Sequence, residues 1–150
     1  MGRRYAARLA PTRPDATSKG QRMIPLDELV GRAEALARSA HAGQVDKAGA
    51  PYAQHPERVA AAVTGDPQAQ VAAWLHDVVE DTSTSLADLR AAGFPEPVIA
   101  AVDALTRRPD EPGDNYYARV AADPLALRVK RADIADNSSR ERLGRLDEAT

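Results

Sequence analysis

The chain has 150 residues, 43% of them hydrophobic and 28% charged, and a net charge of −2. That balance predicts one globular domain, which at this size buries roughly 70% of the surface its unfolded form exposes. No run of about 18 apolar residues exists to cross a bilayer, and the N-terminus starts with arginines but develops no apolar stretch, so a cytoplasmic, non-membrane protein without a secretory signal is expected. With no cysteine, disulfides, thiolate metal sites and cysteine nucleophiles are excluded, and any metal must sit among nitrogen and oxygen ligands.

Residues 1–22 carry six Arg or Lys against Asp15 alone and read as a basic, flexible arm. It lacks aromatic interleaving and a nucleic-acid fold signature, so no nucleic-acid partner is expected. Residues 23–150 read as one all-α domain of about seven helices, because apolar residues recur at helical spacing and no stretch alternates with period two. The first helix spans about 25–41, with Leu26, Leu29, Val30, Ala33, Leu36, Ala37 and Ala40 in one stripe and Gly43 as its stop. A polar loop, GQVDKAGAPYAQ, leads to His55-Pro56, which opens a short helix to about Val63. Asp66 is the N-cap and Pro67 the first turn of a third helix with the apolar face Val71, Trp74, Leu75, Val78 and Val79, and this helix is expected to carry the string HDVVEDT. Ser85 and Asp88 predict a capping box for a short helix ending near Gly93. Val98, Ile99, Val102 and Leu105 mark the next helix, and RRPDEPGD is expected to be a mobile loop. Helices over about 115–122 and 124–137 follow, and RERLGRLDEAT reads as a separate, weak helix containing Gly144.

On an unbroken third helix His76 and Glu80 are four apart, as are Asp77 and Asp81, so their side chains would be neighbours on the helix surface. Three carboxylates crowded beside an imidazole repel one another, and a divalent cation relieves that repulsion; the plainer alternative is a solvated acidic helix end. Each of the three histidines stands beside a distinctive residue: His41 before a glycine turn, His55 before a proline, His76 before Asp77. Asp133, four residues before Asn137 and flanked by Val129 and Ala132, lies near the buried edge of its helix, where a carboxylate needs a partner. Two imidazoles and two carboxylates suit Mn2+, Fe2+ or Zn2+ with positions open for water and substrate oxygen. For His41, a helix C-terminal role with hydrogen bonds to loop carbonyls is favoured over metal ligation. Lys130 and Arg131 are candidates for phosphate, with at least one of them a solvated face residue beside Arg128. Trp74 is read as core, and Tyr116 and Tyr117 as packing at a helix start or closing over a base.

The pattern H…HD…D formed by His55, His76-Asp77 and Asp133 resembles the HD superfamily of helical metal-dependent phosphohydrolases. Within it, AHAGQVDKAGAPYAQHPERVA (40–60), WLHDVVEDT (74–82) and VKRADIADN (129–137) are similar to the hydrolase domain of the RelA/SpoT family. The resemblance implies an all-α HD bundle in which His55, His76, Asp77 and Asp133 hold Mn2+, other divalent ions also being acceptable. It implies that Glu80 and Asp81 orient and deprotonate the attacking water, that Asn137 contacts the substrate near ribose and phosphate, and that Tyr52 and Lys47 line the nucleotide cleft. The implied reaction is that of a stand-alone small alarmone hydrolase: removal of the 3′-pyrophosphate of ppGpp or pppGpp, giving GDP or GTP and pyrophosphate.

Two departures bear on specificity. Asp46-Lys47 stands where the family has Arg-Lys, whose arginine stacks on guanine, and Asp136 stands where the family has histidine or tyrosine. An extra carboxylate near phosphate is unfavourable unless it is paired or metal-linked. Another nucleotide phosphoester, such as a nucleoside monophosphate, ppApp or NADPH, is therefore a second reading. A third is a metal- or nucleotide-binding module without turnover, for which the Glu80-Asp81 pair is unnecessary. Nothing in the sequence indicates an oligomeric state.

Overall fold

The computed structural model describes residues 24–149, with side chains as far as Glu141, so the expected basic arm over residues 1–22 lies outside the described residues. Among the described residues eight helices follow in order: α1 Leu26–Ala40, α2 Gln54–Ala62, α3 Pro67–Leu75, α4 Val78–Asp81, α5 Leu86–Ala91, α6 Glu96–Leu105, α7 Gly113–Ala121 and α8 Pro124–Ala149. Extended pairing among the described residues is limited to one bridge between Val45 and Pro51, so the all-α expectation holds. No described helix is long and apolar enough to cross a membrane.

α3 is the axis of the domain. Ala69 and the run from Val71 to Leu75 are all buried, as befits a helix apolar on most sides over its last two turns, and α1, α2, α6 and α8 pack around it. Its start is local chemistry: Asp66 Oδ1 accepts the Ala69 N–H at 3.1 Å and Pro67 fills the first turn, where its missing donor is not needed. α1 sets Leu29, Ala33 and Ala37 against it, two alanines allowing close backbone approach, while Val30, Leu36 and Ala40 pack at the margin. Leu26, expected in the same stripe, is the first residue of α1 and is 41% exposed.

The capping box of α5 is present in both directions, Ser85 Oγ accepting from Asp88 N at 3.1 Å and Asp88 Oδ2 from Ser85 N at 2.9 Å. After α5 the chain reverses at Gly93 (φ +97°), where a Cβ would also meet Ile24 Cδ1 at 3.0 Å. α6 then buries Val98, Ile99, Ala101, Val102 and Leu105. The α6–α7 loop carries anchors of its own: the Arg119 guanidinium donates to Glu111 at 2.6 and 2.8 Å and to the carbonyls of Asp103, Ala104 and Thr106.

Two expected boundaries are corrected. HDVVEDT does not continue the third helix: α3 ends at Leu75, His76 and Asp77 form a turn, and α4 is a separate short helix. The Ala73 carbonyl receives the His76 side-chain Nδ1–H at 2.6 Å and its backbone N–H at 3.5 Å, an i to i−3 tightening that interrupts the regular ladder. As a result His76 turns inward while Glu80 and Asp81 face outward. Conversely, α8 continues through the break expected near Asn137 and absorbs the weak final helix. Asp123 starts it by accepting from Leu125 N and Ala126 N at 3.0 Å each, and Gly144 costs a helix interior only about 1 kcal/mol relative to alanine.

Candidate metal centre

His55 sits in the first turn of α2, His76 and Asp77 in the α3–α4 turn, and Asp133 midway along α8. Because α2, α3 and α8 pack on one another, four residues spread over the chain meet. His55 Nε2 lies 2.8 Å from Asp133 Oδ1 and 3.8 Å from Asp77 Oδ2, and His76 Nε2 lies 3.2 Å from Asp77 Oδ2 and 3.5 Å from Asp133 Oδ1. Donor atoms of His55, His76 and Asp77 fall within 4.8 Å of one another. Metal–donor bonds of about 2.0–2.2 Å place neighbouring donors roughly 3.0–3.5 Å apart, so the spacing suits a divalent ion.

His76 supplies an independent test of that fit. It is 3% exposed, its Nδ1 carries the proton given to Ala73, and its Nε2 is buried without a hydrogen-bond partner. A buried ring nitrogen left unbonded beside two carboxylates is costly, and a proton or a metal ion placed among them offsets that cost. The electrostatics agree: burial alone would lower the His76 pKa, but Asp77 and then Asp133 outweigh it and raise it to about 10. Burial would raise Asp77, but His76, the Tyr52 hydroxyl and His55 hold it down to about 2. Asp133 lies well below the usual carboxylate range, its burial being outweighed by the proximity of His55, His76 and Lys130. The cluster thus favours positive charge at its centre, whether as protons or as a metal ion, and His55, His76 and Asp77 could hold such an ion.

Other expected site residues fall into two groups. Tyr52, Lys130 and Asn137 touch the cluster directly: the Tyr52 hydroxyl donates to Asp77 Oδ2 at 2.6 Å, Lys130 Nζ to Asp133 Oδ2 at 3.0 Å and Asn137 Nδ2 to Asp133 Oδ1 at 3.3 Å. Glu80 and Asp81 lie next to it, exposed on α4. One Glu80 oxygen accepts the Arg107 N–H at 2.8 Å, and the Asp81 pKa is raised by burial, then by Asp77 and Glu80. Lys47 and Arg131 are exposed. His41 caps α1 and is 2% exposed, but its Nδ1 is bonded to the Gln44 side-chain oxygen at 2.9 Å rather than to a loop carbonyl. Gln44 Nε2 in turn donates to the Asp81 carbonyl at 3.1 Å. Trp74 is core at 5% exposure, and Tyr116 is buried with its hydroxyl on the Leu105 carbonyl.

Asp46 and Asp136, the two departures, are both paired. Asp46 Oδ1 accepts from Ala48 N and Ala50 N at 2.9 Å each, and Oδ2 lies 3.4 Å from Arg140, so this carboxylate shapes its own loop. Asp136 lies between His55 Nδ1 (2.8 Å) and Arg58 Nε (2.7 Å), and these partners outweigh its burial to hold its pKa below the usual range. Arg58 was not among the expected site residues. The available signal was spacing, since Arg58 follows His55 by three and Asp136 follows Asp133 by three, which puts each on the face of its helix that carries the candidate ligand.

An all-helical bundle that gathers two histidines and two aspartates around one buried point defines a class, and the chain belongs to it: an HD domain family model matches residues 33–112. The matched span contains His55, His76 and Asp77. Among curated proteins, the chain is 33% identical over 121 residues to a guanosine-3′,5′-bis(diphosphate) 3′-pyrophosphohydrolase of Aquifex aeolicus (73% of this chain, 17% of that protein). It is 40% identical over 123 residues to a probable enzyme of the same name from Synechocystis sp. (73% and 16%), and 30% identical over 131 residues to the bifunctional (p)ppGpp synthase/hydrolase SpoT of Escherichia coli (79% and 18%). The chain therefore spans under a fifth of the length of these relatives. A solved structure of a metazoan SpoT orthologue, described as hydrolysing ppGpp and acting in starvation responses, superimposes with a TM-score of 0.64 at 26% identity, covering 77% of this chain and 71% of that one.

Proposed function

We propose that the chain is a divalent-metal-dependent phosphohydrolase that removes the 3′-pyrophosphate of (p)ppGpp or a closely related alarmone, giving GDP or GTP and pyrophosphate, with Mn2+ held by His55, His76, Asp77 and Asp133. The observation that carries this reading is the convergence of Asp77 and Asp133 on the unbonded Nε2 of His76, with His55 Nε2 facing the same two carboxylates. The activity named for the relatives above supports the choice of reaction. When bound, a divalent ion supplies charge neutralisation at phosphate and lowers the pKa of water. In this reading the residues divide the remaining work. Glu80 and Asp81, exposed on α4 beside Asp77, orient water and accept its proton as a coupled pair. Lys130, Asn137 and Lys47 meet the nucleotide, and Tyr52, whose hydroxyl is committed to Asp77, fixes that ligand and lends its ring to the cleft. The substrate is a small cytoplasmic nucleotide.

A second reading, hydrolysis of another nucleotide phosphoester, is favoured by Asp46, whose carboxylate is bound to its own loop and to Arg140 and has no face on which a base can stack. The deciding experiment incubates the protein with Mn2+ and each of ppGpp, ppApp, GMP and NADPH, resolves products by ion exchange, and uses Asp77→Ala as control. GDP with pyrophosphate from ppGpp, absent in the control, supports the alarmone reading; cleavage of another compound while ppGpp survives transfers it to the second. Glu80→Gln is expected to abolish turnover while retaining metal. If no compound is turned over by the metal-loaded protein, a binding module without catalysis is left.

A further inference from the structure

Each ring nitrogen of His55 faces a different aspartate at 2.8 Å: Nδ1 faces Asp136 and Nε2 faces Asp133. Asp136 is itself gripped on its other oxygen by Arg58 at 2.7 Å. A guanidinium keeps its protons, so a carboxylate paired with it is an acceptor only. The proton between His55 and Asp136 therefore belongs to the imidazole, on Nδ1. With Nδ1 engaged by Asp136, the ring turns Nε2 towards Asp133 Oδ1 at 2.8 Å and Asp77 Oδ2 at 3.8 Å. Two carboxylates facing one ring nitrogen at such range favour positive charge there, carried by a proton or by a metal ion that replaces it.

We infer that Asp136, held by Arg58, is a positioning residue that fixes the tautomer and orientation of His55 so that Nε2 is presented to a divalent metal ion. This rests on the reading of His55 as a ligand and adds to it the group that aims the ring. The arrangement follows from two helices with matched spacing: Arg58 lies one turn beyond His55 on α2 and Asp136 one turn beyond Asp133 on α8, so packing α2 against α8 pairs both at once. A carboxylate behind a ligating imidazole also raises the basicity of the ligand, and losing such a partner typically weakens metal binding by about 10–100-fold.

The test measures dissociation constants for Mn2+ and Zn2+ by competition with a fluorescent chelator in the wild type, Asp136→Asn, Asp136→Ala and His55→Ala. Thermal melts of each metal-free protein check the fold. The expected order of affinity is wild type, then Asp136→Asn, then Asp136→Ala, with the alanine variant weakened by about 10-fold or more and its metal-free melting temperature retained. Long-range nitrogen-correlated NMR of the Zn2+-loaded protein should show the His55 proton on Nδ1, downfield in the wild type and moved upfield in Asp136→Asn in step with the loss of metal affinity. If Asp136→Ala binds metal within roughly two-fold of wild type while His55→Ala does not bind, the inference is overturned and the metal site stands. If the wild type binds neither ion, the site reading fails and takes the inference with it. Should the alanine variant fail to fold, the isosteric Asp136→Asn decides by the same comparison.

Discussion

The Tyr52 hydroxyl donates to Asp77 Oδ2 across 2.6 Å, joining the loop before α2 to the turn between α3 and α4. Burial, followed by the charge and hydrogen bond of Asp77, holds the Tyr52 phenol above its ordinary pKa, so it stays a donor wherever the fold persists. Hydrogen bonds to a charged partner contribute about 1.5–3 kcal/mol. Tyr52→Phe is expected to lower the unfolding free energy of the metal-free protein by an amount in that range, with the slope of the urea transition unchanged. A loss under about 0.5 kcal/mol would show that the bond adds little.

Leu75 is fully buried at the end of α3, directly before His76. Leu75→Ala leaves a cavity where α3 meets its neighbours and should cost about 2–5 kcal/mol. Since the same turn carries His76 and Asp77, metal affinity should fall along with stability. Calorimetric titration with Mn2+ beside a denaturation curve tests both effects, and intact binding in a destabilised protein would show that the turn is held independently of the core beneath it.

Acid stability should depend on the α6–α7 loop. Hydrogen bonds from Arg119 hold the Glu111 carboxyl down to about 2 from an ordinary value of 4.5. A group with a depressed folded-state pKa stabilises fully above its unfolded value and loses that contribution as protons bind. The pair should therefore support the fold above pH 4.5 and progressively cease to do so as pH falls towards 2. Glu111→Gln is expected to lower the melting temperature at neutral pH and to flatten its decline in that acidic window. An unchanged slope would exclude this pair as a source of acid sensitivity.

The α3 cap can be separated from its ion pair. Asp66 accepts from Ala69 N at 3.1 Å and also lies 3.3 Å from exposed Arg128. Asp66→Ala should cost about 0.5–2 kcal/mol through the lost cap, whereas Asp66→Asn keeps a capping oxygen and should stay within about 0.5 kcal/mol of wild type, because exposed ion pairs contribute little. Equal losses in the two variants would transfer the effect to Arg128.

Such caps were legible because their chemistry is local: Asp66 needs only the amide three residues ahead, and Ser85 and Asp88 serve each other. The break at His76 was also local yet stayed hidden, since Val78 and Val79 continue the apolar pattern of α3 while the interruption comes from a histidine proton taken by the Ala73 carbonyl. For α8 the error ran the other way. Polar residues after Asn137 weakened the apolar pattern, but neither they nor Gly144 break a helical backbone.

By itself the sequence determined which residues have ligand chemistry, that they stand on helices or at their ends, and that cysteine chemistry is absent, because composition, capping and hydrophobic period are properties of short stretches of chain. Only the tertiary structure decided which of the acidic residues turn inward. Asp77 and Asp133 meet His55 and His76, whereas Glu80 and Asp81 face outward, and Asp136 reaches His55 across 81 positions of sequence while Asp46 closes on its own loop. Helical period places a side chain on a face, but what that face meets depends on how α2 and α8 pack against α3. That packing is driven by burial of the alanine- and valine-rich surfaces between them, summed over the whole domain.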